Sequence, residues 1–259
     1  MDQNQPNRRR DVLKAFALGV PAALSARTAS AAAPSSSPPP GAAAAQPGGG
    51  MPMPMQNAGA GQRTLRFFNR EEAEAMDAIA ARLIPADELG PGAKEAGVTR
   101  FIDDQLAGAW GSGDQFYRQG PFEQGTPEQG YQLSYTPAEM FRAGLAKLAD
   151  ASNKAHGRRF AELSAADQDA LLGQLEKGQL DFSPLPAAVF FQALLDATME
   201  GFFSDPLYGG NGGMAGWKLV GFPGAYASFS NDIERHGVAW TRPPVSIADS
   251  HGHEEGHRP

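Results

Sequence analysis

Chemistry in this 259-residue sequence has to come from carboxylates, histidines, thioethers or a glycine-rich turn, because the chain contains no cysteine. Two acidic pairs, Asp103 with Asp104 and Glu200 with Asp205, have the residue types for general acid–base work, which needs a proton donor and an acceptor beside a substrate. The same residues on a helix serve equally as a solvated face or an end cap. His156 and His236 are the interior imidazoles, and both fall near expected helix ends, where a surface histidine is ordinary. Met51, Met53 and Met55 in "MPMPM" set three thioethers at alternate positions, a soft Cu(I) arrangement, and His251, His253 and His257 in "HGHEEGHRP" supply imidazoles. Linker and tail composition account for both stretches, so no metal site is assigned. The sequence has no Gly-x-Ser-x-Gly elbow and no His-Glu-x-x-His helix motif, and no catalytic residue is assigned either.

The remaining candidate is "YGGNGGMAGWKLVGFPG", residues 208–224, in which seven of seventeen residues are glycine. Residues 210–215, Gly-Asn-Gly-Gly-Met-Ala, match the dinucleotide-binding fingerprint in letters. That fingerprint requires a strand before it and a helix N-terminus aimed at the pyrophosphate. Here a helical pattern ending in Phe202-Phe203 precedes it, and Gly216, Gly221 and Pro223 interrupt the segment on its C-terminal side. Two other uses remain. Glycines let a chain lie close to a helix, with Trp217 and Phe222 tucked into the core. Alternatively, Tyr208, Asn211 and Trp217 project from the loop as partner contacts, since aromatics give large interface energies at small entropic cost.

The elements that must position these residues read as helices. Asn69 followed by Glu72 forms a capping box pattern, with Phe68 as a hydrophobic staple, and Met76, Ile79, Ala80 and Leu83 then fall on one face before Pro85. A second helix comes after "GPGAKEAG", with Val98, Phe101, Ile102 and Leu106 inward and Asp103 and Asp104 at its edge. Residues 110–135 have no period and form an irregular excursion. Thr136-Pro137-Ala138-Glu139 starts a helix with Phe141, Leu145 and Leu148 on its face, closed by Gly157. Ser164 caps another, with Leu171, Leu172 and Leu175 inward. Ser183-Pro184 opens a last one, apolar nearly all round and therefore central. No segment alternates with period two, so the expectation is an all-α single domain, an irregular helical bundle of about five main helices with long loops.

Flanking segments divide the chain further. Residues 1–31 carry arginines, an apolar run too short to span a membrane, and small residues near 29–31, the pattern of an export signal. Arg9, Arg10, Leu13 and Lys14 fit the twin-arginine form of such signals, which serves proteins that fold before crossing. Residues 32–62 are an Ala/Pro/Gly/Met tether expected to be disordered, 63–245 the helical domain, and 246–259 a disordered histidine-rich tail. The formal net charge of -7 argues against nucleic acid and against direct docking on an anionic membrane surface. A folded passenger without an evident cofactor of its own suggests one that travels with another subunit.

The chain resembles the small subunit (subunit 3, or gamma) of the gluconate 2-dehydrogenase family. The resemblance rests on "FFNREEAEAMDAIAARLIPADELGPGAKEAGVTRFIDDQLAG", "TPAEMFRAGLAKLA", "RFAELSAADQDALLGQLEKG" and "FFQALLDATMEGFFSDPLYGGNGGMAGWKLVGFPG", roughly residues 66–224. It implies a large FAD-containing partner of the glucose–methanol–choline type, and in many complexes a multihaem cytochrome c subunit that passes electrons to quinone. It implies no cofactor in this chain, and a periplasmic location at the inner membrane reached through the complex. The twin-arginine leader would then carry the folded flavoprotein across. Tyr208, Asn211 and Trp217 are the residues expected to face that large subunit. The alternative is a stand-alone periplasmic sugar-binding protein whose pocket is shared between the glycine loop and the 110–135 excursion.

Overall fold

A computed structural model describes residues 64–250, apart from 115, 124, 127–131, 227, 228, 230 and 231. The export signal with Arg9, Arg10, Leu13 and Lys14, the methionine tether and the three tail histidines lie outside the described residues.

The described residues form helices and no strand: α1 (Arg70–Leu83), α2 (Val98–Leu106), α3 (Ala109–Ser112), α4 (Pro137–His156), α5 (Ala165–Glu176), α6 (Ala187–Phe203), α7 (Ala215–Val220) and α8 (Ile247–Ser250). Five of these are long, and the all-α reading holds. Local chemistry sets their ends. The Asn69 side chain accepts from Glu72 N–H while the Glu72 carboxylate accepts from Asn69 N–H, closing the capping box of α1. Thr136 and Glu139 do the same for α4, and hydrogen bonds from the Thr136 backbone and then its hydroxyl hold the Glu139 carboxyl below its ordinary range. Gly157 ends α4 in the left-handed conformation, at φ 66°, which glycine adopts without the strain a Cβ would bring.

Helix α6 lies at the centre, packed against α1, α2, α4, α5 and α7. It begins at Ala187, later than the Ser183-Pro184 start read from the sequence; Pro186 is its N-cap and Leu185 is spent on the core. Phe190 is fully buried between Phe141 of α4 and Phe182, with ring centroids 5.9 and 6.0 Å away. This approach is possible because residue 144 is glycine, where a Cβ would occupy the Phe190 ring.

Asp103 departs from the edge position expected for it. It is completely buried and accepts hydrogen bonds from the backbone N–H groups of Arg66, Phe67 and Phe68, at 2.8, 3.0 and 2.8 Å. One carboxylate thus latches the stretch of backbone that leads into α1. Arg142 of α4 adds a second hold, stacking over the Phe67 ring at 4.2 Å and donating to the Phe67 carbonyl.

The far end of the domain is tied down as well. Residues 246–250, expected in the disordered tail, are anchored: Ser246 is buried, its Oγ donates to Asp205 at 2.9 Å, and Ile247 N–H donates to the same carboxylate at 2.8 Å. A parallel bridge between Gly224 and Val245 completes the clasp. Replacing Asp205 with alanine removes the acceptor for Leu207 N–H, Ser246 Oγ–H and Ile247 N–H together. The expected result is release of residues 225–250 while the α1–α6 core stays folded, a local cost of about 1–3 kcal/mol. Limited proteolysis checks it: cleavage within 225–250 accelerates, and the core fragment persists.

Candidate functional site

A long helix ends with backbone carbonyls that lack intrahelical donors, and at the end of α6 these lie against protein rather than water. The glycine loop and the C-cap residue Ser204 supply the donors. Asn211 Nδ2 donates to the Ser204 carbonyl and Trp217 Nε1 to the Phe203 carbonyl, each at 2.8 Å, and Ser204 Oγ donates to the Gly201 carbonyl at 3.1 Å. Asn211 is fully buried, and its Oδ1 accepts from Gly216 N–H at 2.8 Å, so one side chain pins both arms of the loop. Gly212 N–H reaches across to the Ala96 carbonyl at 2.8 Å, fastening the loop to the turn before α2.

Such a cap requires backbone to lie on backbone. A Cβ on Gly210 would be built into the Gly201 carbonyl, and one on Gly216 into the Phe202 carbonyl. Asn211 and Met214 themselves adopt the left-handed region, at φ 49° and 58°. The loop therefore covers the negative end of a helix dipole, which is the wrong end for a phosphate. That geometry disposes of the dinucleotide fingerprint in 210–215.

Of the three residues expected to face a partner, the structure places two inside. Asn211 is buried and Trp217 is only 6% exposed, both engaged as caps of α6, so neither presents a side chain to another protein. Tyr208 stands out, 53% exposed. Phe222, expected in the core beside Trp217, packs edge-on to it with ring centroids 5.1 Å apart but is 47% exposed. His156 lies exposed in the last turn of α4, and His236 sits in an exposed turn of the 225–245 segment rather than at a helix end.

Both acidic pairs are split by the fold. Asp103 and Asp205 turn inward as backbone acceptors, whereas Asp104 and Glu200 line one cleft of about 460 Å³ between α2, α3 and α6, with Phe101, Gln105, Trp110 and Ala197. Asp104 is held by Arg100, with Nε to Oδ2 at 2.9 Å, and lies 3.8 Å from Arg66. Gly209 of the loop is so close to Asp104 that a Cβ there would sit 3.5 Å from Oδ2, so cleft and loop are contiguous. Partial burial of the otherwise exposed Glu200 against the cleft wall raises its carboxyl above its ordinary value, and Asp196, one turn earlier on α6, raises it further. A second cavity of about 300 Å³ lies in the excursion, lined by Phe116, Tyr117, Arg118, Pro121, Phe122 and Tyr135 among others. No residue of 208–224 lines either cavity, so the loop and the excursion do not build a shared pocket there. Among the described residues no three His, Asp or Glu side chains converge as metal ligands.

Compared with known families, residues 70–224 match gluconate 2-dehydrogenase subunit 3. The chain belongs to that family. The match starts on the first residue of α1 and ends on Gly224, so it takes in the latched helices, the cleft and the whole glycine cap, and stops where the C-terminal clasp begins. No curated protein and no solved structure matches the chain. As a subunit 3, the chain takes its place in a gluconate 2-dehydrogenase type of complex of several subunits. No helix among the described residues is long and apolar enough to cross a membrane.

Proposed function

We propose that this chain is the non-catalytic small subunit of a periplasmic, membrane-associated, FAD-dependent dehydrogenase of sugars or sugar acids, and that it supports maturation and twin-arginine export of the flavoprotein. The observation that carries the reading is the family match over residues 70–224, which spans all five long helices and the loop that caps α6. Three features support it. The conspicuous glycine loop is occupied with internal capping, which suits a structural role better than a ligand site. The leader motif Arg9-Arg10-Asp11-Val12-Leu13-Lys14 is of the kind that exports folded cargo. Large apolar side chains are exposed at both ends of the loop, Tyr208 at its start and Val220 and Phe222 near its close, which suits a loop that another protein covers.

In this reading FAD belongs to a large subunit of the glucose–methanol–choline type, haem c to a third subunit where one is present, and membrane association is indirect. The test is affinity capture of the tagged full chain from its native host, followed by a visible absorption spectrum. A flavin band near a one-to-one ratio with a larger polypeptide is expected. A colourless, monomeric product overturns the assignment. Saturable sugar binding by that monomer would establish a stand-alone binding protein in its place.

A further inference from the structure

Helix α6 carries only two charged residues along its 17 positions, Asp196 and Glu200, and both are acidic and one turn apart. Like charges at this spacing repel, so on an isolated domain the arrangement is mildly unfavourable. Gln192 answers part of it by donating to Asp196 Oδ1 at 2.7 Å. Glu200 has no hydrogen bond or ion pair among the described residues. The charged and polar groups around it come from two helices: Asp196 on its own, and Asp104 and Gln105 on α2. The cations beside them, Arg100 and Arg66, are directed to Asp104.

The surface around this carboxylate is mixed in a regular way. Gln192, Asp196 and Glu200 are exposed at four-residue steps, and Phe191, Leu195, Met199 and Phe203 run alongside at the same step, each partly exposed. The outward face of the most apolar helix is thus an acidic stripe beside a ridge of large apolar side chains, opening at Glu200 into a cleft floored by Phe101, Trp110 and Ala197. A side chain with an apolar stem and a cationic head matches that combination: the stem lies on the aromatic floor and the head meets the carboxylates.

Resting on the subunit reading above, we propose that a lysine or arginine of the flavoprotein subunit enters the cleft between α2, α3 and α6 and pairs with Glu200, while Leu195 and Met199 cover apolar surface beside it. The pair compensates a charge that the isolated chain leaves unmatched, so the contact discriminates for the assembled state.

The experiment uses the flavoprotein recovered with the wild-type full chain and measures its affinity for variants over a range of NaCl concentrations. Glu200→Gln is expected to weaken binding about tenfold or more and to flatten the salt dependence. Glu200→Lys should abolish it, whereas Glu176→Lys, at the exposed end of α5, should leave it unchanged. Because the Glu200 carboxyl is raised in the folded chain, the stability tied to it is present at acidic pH and lost as pH rises through its folded value. Glu200→Gln should therefore melt no lower than wild type at neutral pH, which separates lost binding from lost folding. If the wild-type chain recovers no flavoprotein, the subunit reading fails and this contact with it. If it does, and Glu200→Gln and Glu200→Lys bind like wild type, the cleft contact alone is overturned. Sugar binding abolished by Glu200→Gln with flavoprotein affinity intact would likewise overturn it, marking the cleft as a small-molecule site.

Discussion

Asp103→Ala is expected to lower stability by about 3–5 kcal/mol in urea denaturation, as much as truncating a buried core aromatic. Three backbone N–H groups converge on this one carboxylate, and hydrogen bonds to a charged acceptor contribute roughly 1.5–3 kcal/mol each. Their simple sum overstates the loss, because residues 64–69 can peel away and let water reach the freed donors. Peeling has its own cost. Phe68, only 4% exposed, leaves the core, and the Arg142 hold on Phe67 goes with it. Asparagine at 103 gives the informative contrast. It keeps an acceptor where Oδ1 receives Phe67 and Phe68, but in that orientation it puts an NH₂ against Arg66 N–H where Oδ2 stood. Asp103→Asn should therefore lose roughly half as much, and hydrogen exchange should show Arg66 N–H released while Phe68 N–H keeps partial protection. Equal losses for the two variants would mean that charge, rather than hydrogen-bond count, holds the latch.

The helices are legible in the sequence because their evidence is local. Capping boxes at Asn69 and Thr136, the stripe Met76-Ile79-Ala80-Leu83, and the terminating Gly157 each specify an element from fewer than a dozen residues, and each stands in the structure. Long-range polar contacts are not legible. Asp103 bonds residues 35 to 37 positions away, and Asp205 bonds residues 41 and 42 away, and nothing in a periodicity names those partners. One signal is available for Asp103. It stands four residues after Thr99 and three before Leu106, on the face that Ile102 and Val98 bury, and a charge on such a face implies a buried acceptor role.

The loop shows the same division. Its glycine content correctly signals close packing, but polar and aromatic residues in a glycine loop resemble contact residues, which points Asn211 and Trp217 outward. The need they meet arises at the end of α6, where orphan carbonyls are buried and must find donors. Glu200 is hidden for the opposite reason: its lack of a partner within the described chain emerges only once every neighbour has been placed.

Gly216→Ala tests the loop most directly, and its expected cost is about 3 kcal/mol, with Gly210→Ala similar. In each case the added methyl meets a backbone carbonyl of α6, Phe202 O or Gly201 O, which cannot rotate aside as a side chain would. The loop must lift, and lifting breaks the bonds that Asn211 and Trp217 make to Ser204 and Phe203. Gly213 and Gly221 provide the control. Both have left-handed φ values, 62° and 71°, but open space where a Cβ would go, so alanine there should cost only about 1 kcal/mol of backbone strain. Hydrogen exchange at Gly212 and Gly216 N–H reads loop docking separately from global unfolding: protection should collapse in Gly216→Ala and survive in Gly213→Ala. If all four alanine variants cost the same, close approach of backbone to α6 is not what Gly210 and Gly216 provide. If the two groups separate, the loop is a cap made by backbone contact.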